Sequence, residues 1–362
     1  MYFQSRAIGI FFAPKQAKGE KMQRVKIIPL AESIKQGFIT GDQVTSAADM
    51  ENFFERAQQH IQAVRQDKRI LTLRGRRIAR VFYEASTRTK ESFGEAIWRL
   101  GAKDILLDVN SSSVVKNETL EHTSAALHLT HGGHLDAIVQ RHSDPHAAAQ
   151  LQRYFQEMRD AQTNGLDLGI PNHWPIVINA GSGAGEHPTQ AMLDALTISE
   201  WLKAQKRTWE GLRIVIAGDL KHGRTIHSLL KVLAVFPDIH LTLVSPAALG
   251  LPDEYLDSRA FADIKKTESL DPELPTADIV YMTRIQKERF ADEEEALRLK
   301  GQIRLNSSNA RLLPENSIMM HPLPSDGELD PALDRDPRQR WFAQMWYGVA
   351  ARMTLLEMAL AE

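Results

Sequence analysis

The pattern that most restricts the fold of this 362-residue chain is a recurring one: short apolar runs that end in polar residues and alternate with helical repeats. "LRIVIAGDL" (212–220) reads as a buried strand, and "RTIHSLLKVLAVF" (224–236) as an amphipathic helix. "IHLTLVSP" (239–246) is a second strand, and "ADIVYMTR" (277–284) repeats the strand-to-polar transition. Earlier in the chain "DAIVQRH" (136–142) and "WPIVINAGSG" (174–183) have the same form. Apolar strands that alternate with helices pair in parallel and are covered on both faces. The expected fold is therefore α/β, with two domains, each a central, mainly parallel β-sheet flanked by helices. Ligands of such sheets bind beyond the C-terminal ends of the strands, where the polar residues fall here.

"SAADMENFFERAQQHIQAVRQ" (46–66) predicts a helix with Met50, Phe53, Phe54, Ala57 and Ile61 on one side, and Asp49 is its candidate cap. "SFGEAIWRLGA" (92–102) predicts a helix that stops near Gly101. The domain boundary falls in or after the helix around 188–203, and the last helix, 338–362, is expected to return to the first domain. The organisation is then an N-terminal extension without an assigned role (1–40), a first domain (41–190) completed by 338–362, and a second domain (203–337). "RYFQEMRDAQTNGLDLGI" (153–170) reads as a surface excursion.

Composition excludes several function classes. The 44 basic and 46 acidic residues balance to a formal charge of -2, which gives no support for nucleic-acid binding but leaves room for a local positive pocket. With no cysteine, thiolate catalysis, disulfides and cysteine-bound zinc are ruled out, and a reducing, cytoplasmic setting is expected. No apolar run approaches the roughly 18 residues of a membrane span, so no membrane partner is expected. The 13 histidines include no H-E-x-x-H, and neither "NAGSGAGEH" nor "GDLKHGRTIHS" has the spacing of a dinucleotide turn or a P-loop. Neither a metal nor a cofactor is expected.

The chemistry concentrates in a few strings. In "YEASTRTKESF" (83–93), Ser86, Thr87, Arg88 and Thr89 precede a helix, where unsatisfied amides, hydroxyls and a guanidinium can cradle a phosphate. The same string also suits a capped helix with solvated cations. Arg141 ends a strand. His187, in "EHPTQ", precedes a proline at a helix start, and Gln190 lies one turn on, offering both a donor and an acceptor. A turn histidine and a surface glutamine would look the same. Arg224 opens a helix; Arg284 and Gln286 follow a strand. Two arginines at neighbouring strand ends suit a small dicarboxylate, or else structural ion pairs. Lys116 stands in a polar loop, and "HPLP" (321–324) brackets Leu323 with prolines.

Together, "YEASTRTKESF", "KNETL", "RH", "HPTQAMLDALTI", "GDLKHGRTIHSL", "YMTRIQKERF", "HPLP" and "PRQRWFAQMWYGVAARMTLL" resemble, in order and over roughly 40–360, the aspartate/ornithine carbamoyltransferase family. "STRTK", "HPTQ" and "HPLP" resemble carbamoyltransferases generally, "GDLKHGRTIHSL" with "TRIQKERF" resembles the aspartate branch, and the ornithine branch's H-C-L-P is absent. The resemblance implies the carbamoyltransferase fold and transfer of a carbamoyl group from carbamoyl phosphate to the α-amino group of L-aspartate, without a cofactor. It casts 41–190 as the carbamoyl-phosphate-binding domain and 203–337 as the aspartate-binding domain. By the same resemblance Ser86, Thr87, Arg88 and Thr89 form the carbamoyl-phosphate loop, Arg141 serves phosphate and carbonyl oxygen, His187 faces the carbonyl, and Gln190 lies near the carbamoyl nitrogen. Arg88, Thr89, Arg141 and His187 are the expected catalytic groups. Arg224, Arg284, Gln286, Lys116 and the Leu323 carbonyl would hold aspartate. Ser112 and Lys116 would come from a neighbouring subunit, and Glu84 and Arg289 would join the ion pairs of domain closure. A homotrimer with interfacial sites is implied, and regulatory chains or a dihydroorotase are possible further partners. A different amine acceptor, or a silent assembly protein of the same shape, are the competing readings. Lys90, Val115 and Ser325 depart from the residues common in the family.

Overall fold

The computed structural model describes residues 28–109, 118–289, 294 and 298–361. Its first sheet contains β1 (Arg77–Phe82), β2 (Lys103–Leu107), β3 (Ala137–His142) and β4 (Ile176–Ser182), all parallel, in the order β2-β1-β3-β4. The second contains β5 (Arg213–Ala217), β6 (His240–Val244), β7 (Asp263–Thr267), β8 (Ile279–Met282) and β9 (Ile318–Met320), also parallel, in the order β7-β6-β5-β8-β9.

The period of two along a strand assigns its residues to two cores. Ile78, Phe82, Val139 and Ile178 face α2 (Ala47–Arg65), α3 (Thr87–Leu100) and the C-terminal helix (Trp341–Leu360). Ala79, Val81, Ile138 and Val177 face the opposite layer, which includes α4 (Leu120–Thr130) and α5 (Ala147–Thr163). The core under α2 continues through α6 (Pro188–Gln205) and α7 (Arg224–Leu233) onto Ile214, Ile216 and Ile279 of the second sheet. One apolar body thus joins the two sheets, and the C-terminal helix lies against α2, α3 and α6.

Three local expectations change. Ser46, not Asp49, caps α2: its hydroxyl accepts the Asp49 N–H at 3.2 Å. Asp49 sits inside the first turn, and its carboxylate accepts the Leu30 N–H at 2.9 Å. Residues 28–40, read as part of an extension, enter the core. Leu30, Ile34 and Phe38 are fully buried, and the Phe38 N–H donates to the Val177 carbonyl. The 153–170 stretch is mostly α5 and not an excursion. Phe155 is fully buried and stacks on Trp174, so its helix covers the sheet, and only the residues after Thr163 form a loop. Gly101 ends α3 as expected, in the left-handed conformation that glycine adopts without strain.

Strand order reverses between β1 and β3 in one sheet and between β5 and β8 in the other. Such reversals leave a crevice at the strand C-termini. Residues at or beyond the C-terminal ends of β1, β3, β5 and β8 border one cleft.

Candidate active site

The cleft has a volume of about 640 Å³. Six arginines (88, 141, 224, 284, 289 and 352) line it, with Glu84 the one carboxylate among its described lining residues. That imbalance focuses a positive potential, so the natural occupant is anionic.

From β1, the chain turns through Glu84 and Ser86 into α3. Ser86 is the residue before the helix, its side chain makes no capping bond, and the first turn carries no acid. The free amides of Thr87, Arg88 and Thr89 are therefore unclaimed by the helix and available to an anion. Burial and the nearby Arg284 hold the Arg88 guanidinium below its ordinary range.

The end of β3 delivers Arg141, which is 9% exposed and donates from Nη1 to the Ala180 carbonyl at 3.3 Å. Burial, and next Arg224, push it down to about 9, with Glu84 acting in the opposite direction, so it remains a cation at neutral pH. Its Nε lies 3.4 Å from Glu84 without making a hydrogen bond, a buried donor with capacity for a ligand.

His187 immediately precedes α6, and Pro188 at the first helical position fixes the entry. Its amide donates to Ser228 Oγ at 2.9 Å. Its Nε2 is 3.4 Å from Thr89 Oγ1, and its Nδ1 is 3.4 Å from Thr189 Oγ1. Burial first, then Arg141, Arg224 and Arg352, drive it well below the usual histidine range. It is a neutral imidazole with one N–H to offer. Gln190, one turn into α6, lines the same floor.

The second sheet contributes the facing wall. Arg224 opens α7 and donates from Nη1 to Glu84 Oε2 at 2.8 Å and to the Gly183 carbonyl at 2.9 Å. Arg284 and Gln286 follow β8. Gln286 Nε2 donates to the His222 carbonyl, and its backbone N–H donates to Asp219 at 3.2 Å. Arg289 Nη2 donates to Glu84 Oε1 at 3.0 Å. Glu84 thus joins arginines of both sheets, as an element of closure would.

Leu323 lies at the rim with φ of 52°, a left-handed conformation unfavourable for a leucine. It is held there by its N–H, which donates to His321 Nδ1 at 2.8 Å. His321 Nδ1 must then accept, so the proton sits on Nε2, which donates to Glu328 at 2.7 Å.

Every candidate residue within the described stretches lines this cleft. Ser112 and Lys116, and the departure at Val115, lie outside the described residues. The sequence reading missed Arg352 and Gln344, which line the cleft, and the buried Asp194 and Tyr281 bonded behind them. Arg352 was visible as the one basic residue in an apolar helix, and Asp194 as the residue four after Gln190 on one helical face. Arg352 is held down to about 10 by burial, against the pull of Asp194. Among the described residues no three metal-ligating side chains gather into a candidate metal site, and no helix is long and apolar enough to cross a membrane.

The geometry presents an anion cradle at a helix N-terminus, buried polar groups of Thr89, Arg141 and His187 beside it, and a second cationic wall. Comparison with known proteins gives the same frame. Residues 38–200 match the model of the aspartate/ornithine carbamoyltransferase carbamoyl-P binding domain, and 210–359 match that of the Asp/Orn binding domain. The aspartate carbamoyltransferase catalytic subunit of Archaeoglobus fulgidus is 38% identical over 309 residues, 85% of this chain and 94% of that one. Its counterpart from Methanothermobacter thermautotrophicus is 39% identical over 299 residues, 82% and 86% of the two chains. The crystal structure of aspartate transcarbamoylase from Trypanosoma cruzi in complex with carbamoyl phosphate and aspartate superimposes with a TM-score of 0.78 at 34% identity, covering 93% of this chain and all of that one. With both halves matched in order and the two-sheet fold shared, this chain belongs to the aspartate/ornithine carbamoyltransferase family.

Proposed function

We propose that the chain transfers the carbamoyl group of carbamoyl phosphate to the α-amino group of L-aspartate, giving N-carbamoyl-L-aspartate and phosphate, an early committed step of pyrimidine synthesis. The observation that carries this reading is the convergence of the α3 N-terminus, Arg141 and neutral His187 on one side of a cleft whose other side holds Arg224 and Arg284.

Ser86, Thr87 and Arg88 bind the phosphoryl group through helix amides and the guanidinium fork. The neutral aspartate amine attacks the carbamoyl carbon, forming the C–N bond. Negative charge grows on the carbonyl oxygen, where Thr89, Arg141 and His187 donate. The C–O bond to phosphate then breaks, and the departing phosphate accepts the amine proton. A neutral His187 suits this role, since it donates without adding a proton to be relayed. Arg224 and Arg284 orient the aspartate carboxylates, with Gln286 and the Leu323 carbonyl beside them. Glu84, by joining Arg224 and Arg289, draws the two sides together over the reactants.

In this reading residues 41–190 with 338–362 bind carbamoyl phosphate and 203–337 bind aspartate. The assembly is a homotrimer, and Ser112 and Lys116 enter the neighbouring subunit's site. Mixing inactive Arg141→Ala and Lys116→Ala chains should then regenerate some active composite sites, and no recovery after verified subunit exchange would reject the shared site. The reaction itself is tested by product identification from carbamoyl phosphate and L-aspartate, with L-ornithine as the competing acceptor. Carbamoyl-aspartate with stoichiometric phosphate is expected. Product only with ornithine would overturn the acceptor assignment, and no phosphate release with either would favour a silent scaffold.

A further inference from the structure

A cleft lined by arginines and helix amides is rich in donors, and an acceptor placed among them needs a reason. Gln190 is such a group. Its Nε2 donates to Asp194 Oδ1 at 3.0 Å, one helical turn along α6. Asp194 is fully buried. The same oxygen accepts Gln344 Nε2 at 2.8 Å, and Oδ2 accepts the Tyr281 hydroxyl at 2.7 Å. An ionised carboxylate only accepts, so the Gln190 amide cannot turn its oxygen toward Asp194. The nitrogen is held inward and Oε1 is left for the cleft that Gln190 lines. Burial pushes the Asp194 carboxyl up to about 6, opposed by its three donors and Arg352, so it is ionised at neutral pH.

We propose that Asp194 is a positioning residue: by holding Gln190 Nε2 it presents Gln190 Oε1 to the cleft, and so makes the cleft prefer an acyl phosphate whose acyl group carries an N–H donor over one that ends in a methyl group. This rests on the carbamoyl-phosphate reading above. Without the carboxylate, the amide is free to flip and point its nitrogen at a ligand N–H, donor against donor. The methyl-ended ligand has nothing to lose by that flip, since it never made the bond. The same carboxylate also fixes Gln344, whose Oε1 accepts the His321 N–H at 2.9 Å, so one buried anion sets both the carbamoyl end of the cleft and the base of the Leu323 turn.

The test compares binding of phosphonoacetamide and phosphonoacetone, which differ in an NH2 against a CH3, by calorimetric titration of the full-length protein. The wild type is expected to favour phosphonoacetamide by about 10-fold, the worth of one well-made buried hydrogen bond. Asp194→Leu and Asp194→Ala, which leave no acceptor for Gln190 Nε2 and are made in parallel so that a folding failure of one leaves the other, are expected to bring that ratio near unity by weakening phosphonoacetamide alone. Tyr281→Phe removes a different donor from Asp194 and leaves the Gln190 contact, so it should lower thermal stability while keeping the ratio. Retention of the wild-type ratio by a folded Asp194 variant overturns the proposal, as does an equal loss of the ratio in Tyr281→Phe, which would make the effect merely structural. A wild-type protein with no preference between the two ligands overturns the carbamoyl reading itself before any variant is considered.

Discussion

On the first-sheet side of the cleft the donors are buried and rooted in regular structure: Thr89 in the first turn of α3, Arg141 in β3, His187 at the start of α6, each 9% exposed or less. On the second-sheet side Arg284, Gln286, Arg289 and Leu323 are half-buried and come from segments just outside β8 and β9. The first wall cannot change without disturbing a helix start or a strand end, and in the proposed reaction it handles the part common to any carbamoyl transfer. Apart from Arg224 at the start of α7, the second wall is made of side chains from short connecting segments, which tolerate substitution, and in the proposed reaction it meets the acceptor. The proposed reaction therefore places its chemistry where the core enforces geometry, and its acceptor choice where the core does not.

The sharpest way to break that contrast is Arg141→Ala. Turnover at saturating substrates should fall by about 10²–10³-fold, the usual effect of removing one donor from a developing oxyanion, while circular dichroism and thermal melting show a folded chain. Near-wild-type kcat would detach Arg141 from the reacting oxygen. Arg284→Ala should act on the other wall, raising the aspartate KM by roughly 10–100-fold, the range for losing a charge-assisted hydrogen bond. Carbamoyl phosphate binding should be little altered, and an equal loss of both substrates would erase the division between the walls.

Burial of the first wall also has a pH signature. His187 is held neutral in the folded chain, while in the unfolded chain it takes up a proton near its ordinary value of about 6.5. Below that value the unfolded state binds more protons, so stability should fall as pH falls, by at most about 1.4 kcal/mol per pH unit from this group. His128, His227 and His321, also depressed by burial, act in the same direction. Urea unfolding between pH 7.5 and 5.5 should show a shallower decline for His187→Asn than for the wild type; parallel curves would show that His187 can be protonated without cost. The smallest effect is expected from Lys90→Arg, which restores the residue common in the family. Lys90 is only partly buried and lies outside the residues lining the cleft. Turnover should change less than about twofold, given that exposed charges contribute little, and a large change would mean that the first wall extends beyond the helix start.

Much of this wall was legible from residue order. "STRT" before a helix, "HP" at a helix entry and arginine at a strand end are local signals, because each depends on neighbours within one or two turns. Less could be read of the floor. Asp194, Tyr281, Gln344 and Arg352 come from α6, β8 and the C-terminal helix, and no local pattern says that a glutamine 150 positions away will share a carboxylate oxygen. The misread stretches failed for the same reason. Arg153–Ile170 looked polar enough for a loop, but Phe155 and Trp174 stack on one face of the sheet and anchor α5. Leu30, Ile34 and Phe38 were too sparse to declare themselves as core until β4 and the C-terminal helix surrounded them.

The sequence by itself determined the alternation of strands and helices, the parallel sheets that follow from it, and the polar residues at the strand ends, because periodicity, turn chemistry and helix capping act over a few residues. Tertiary structure alone decided which strand ends face each other, that Glu84 would tie arginines of both sheets together, and which way the Gln190 amide points. Those depend on burial and on charges brought close by the closing of one apolar core around α6, where removal from water turns distant residues into strong partners.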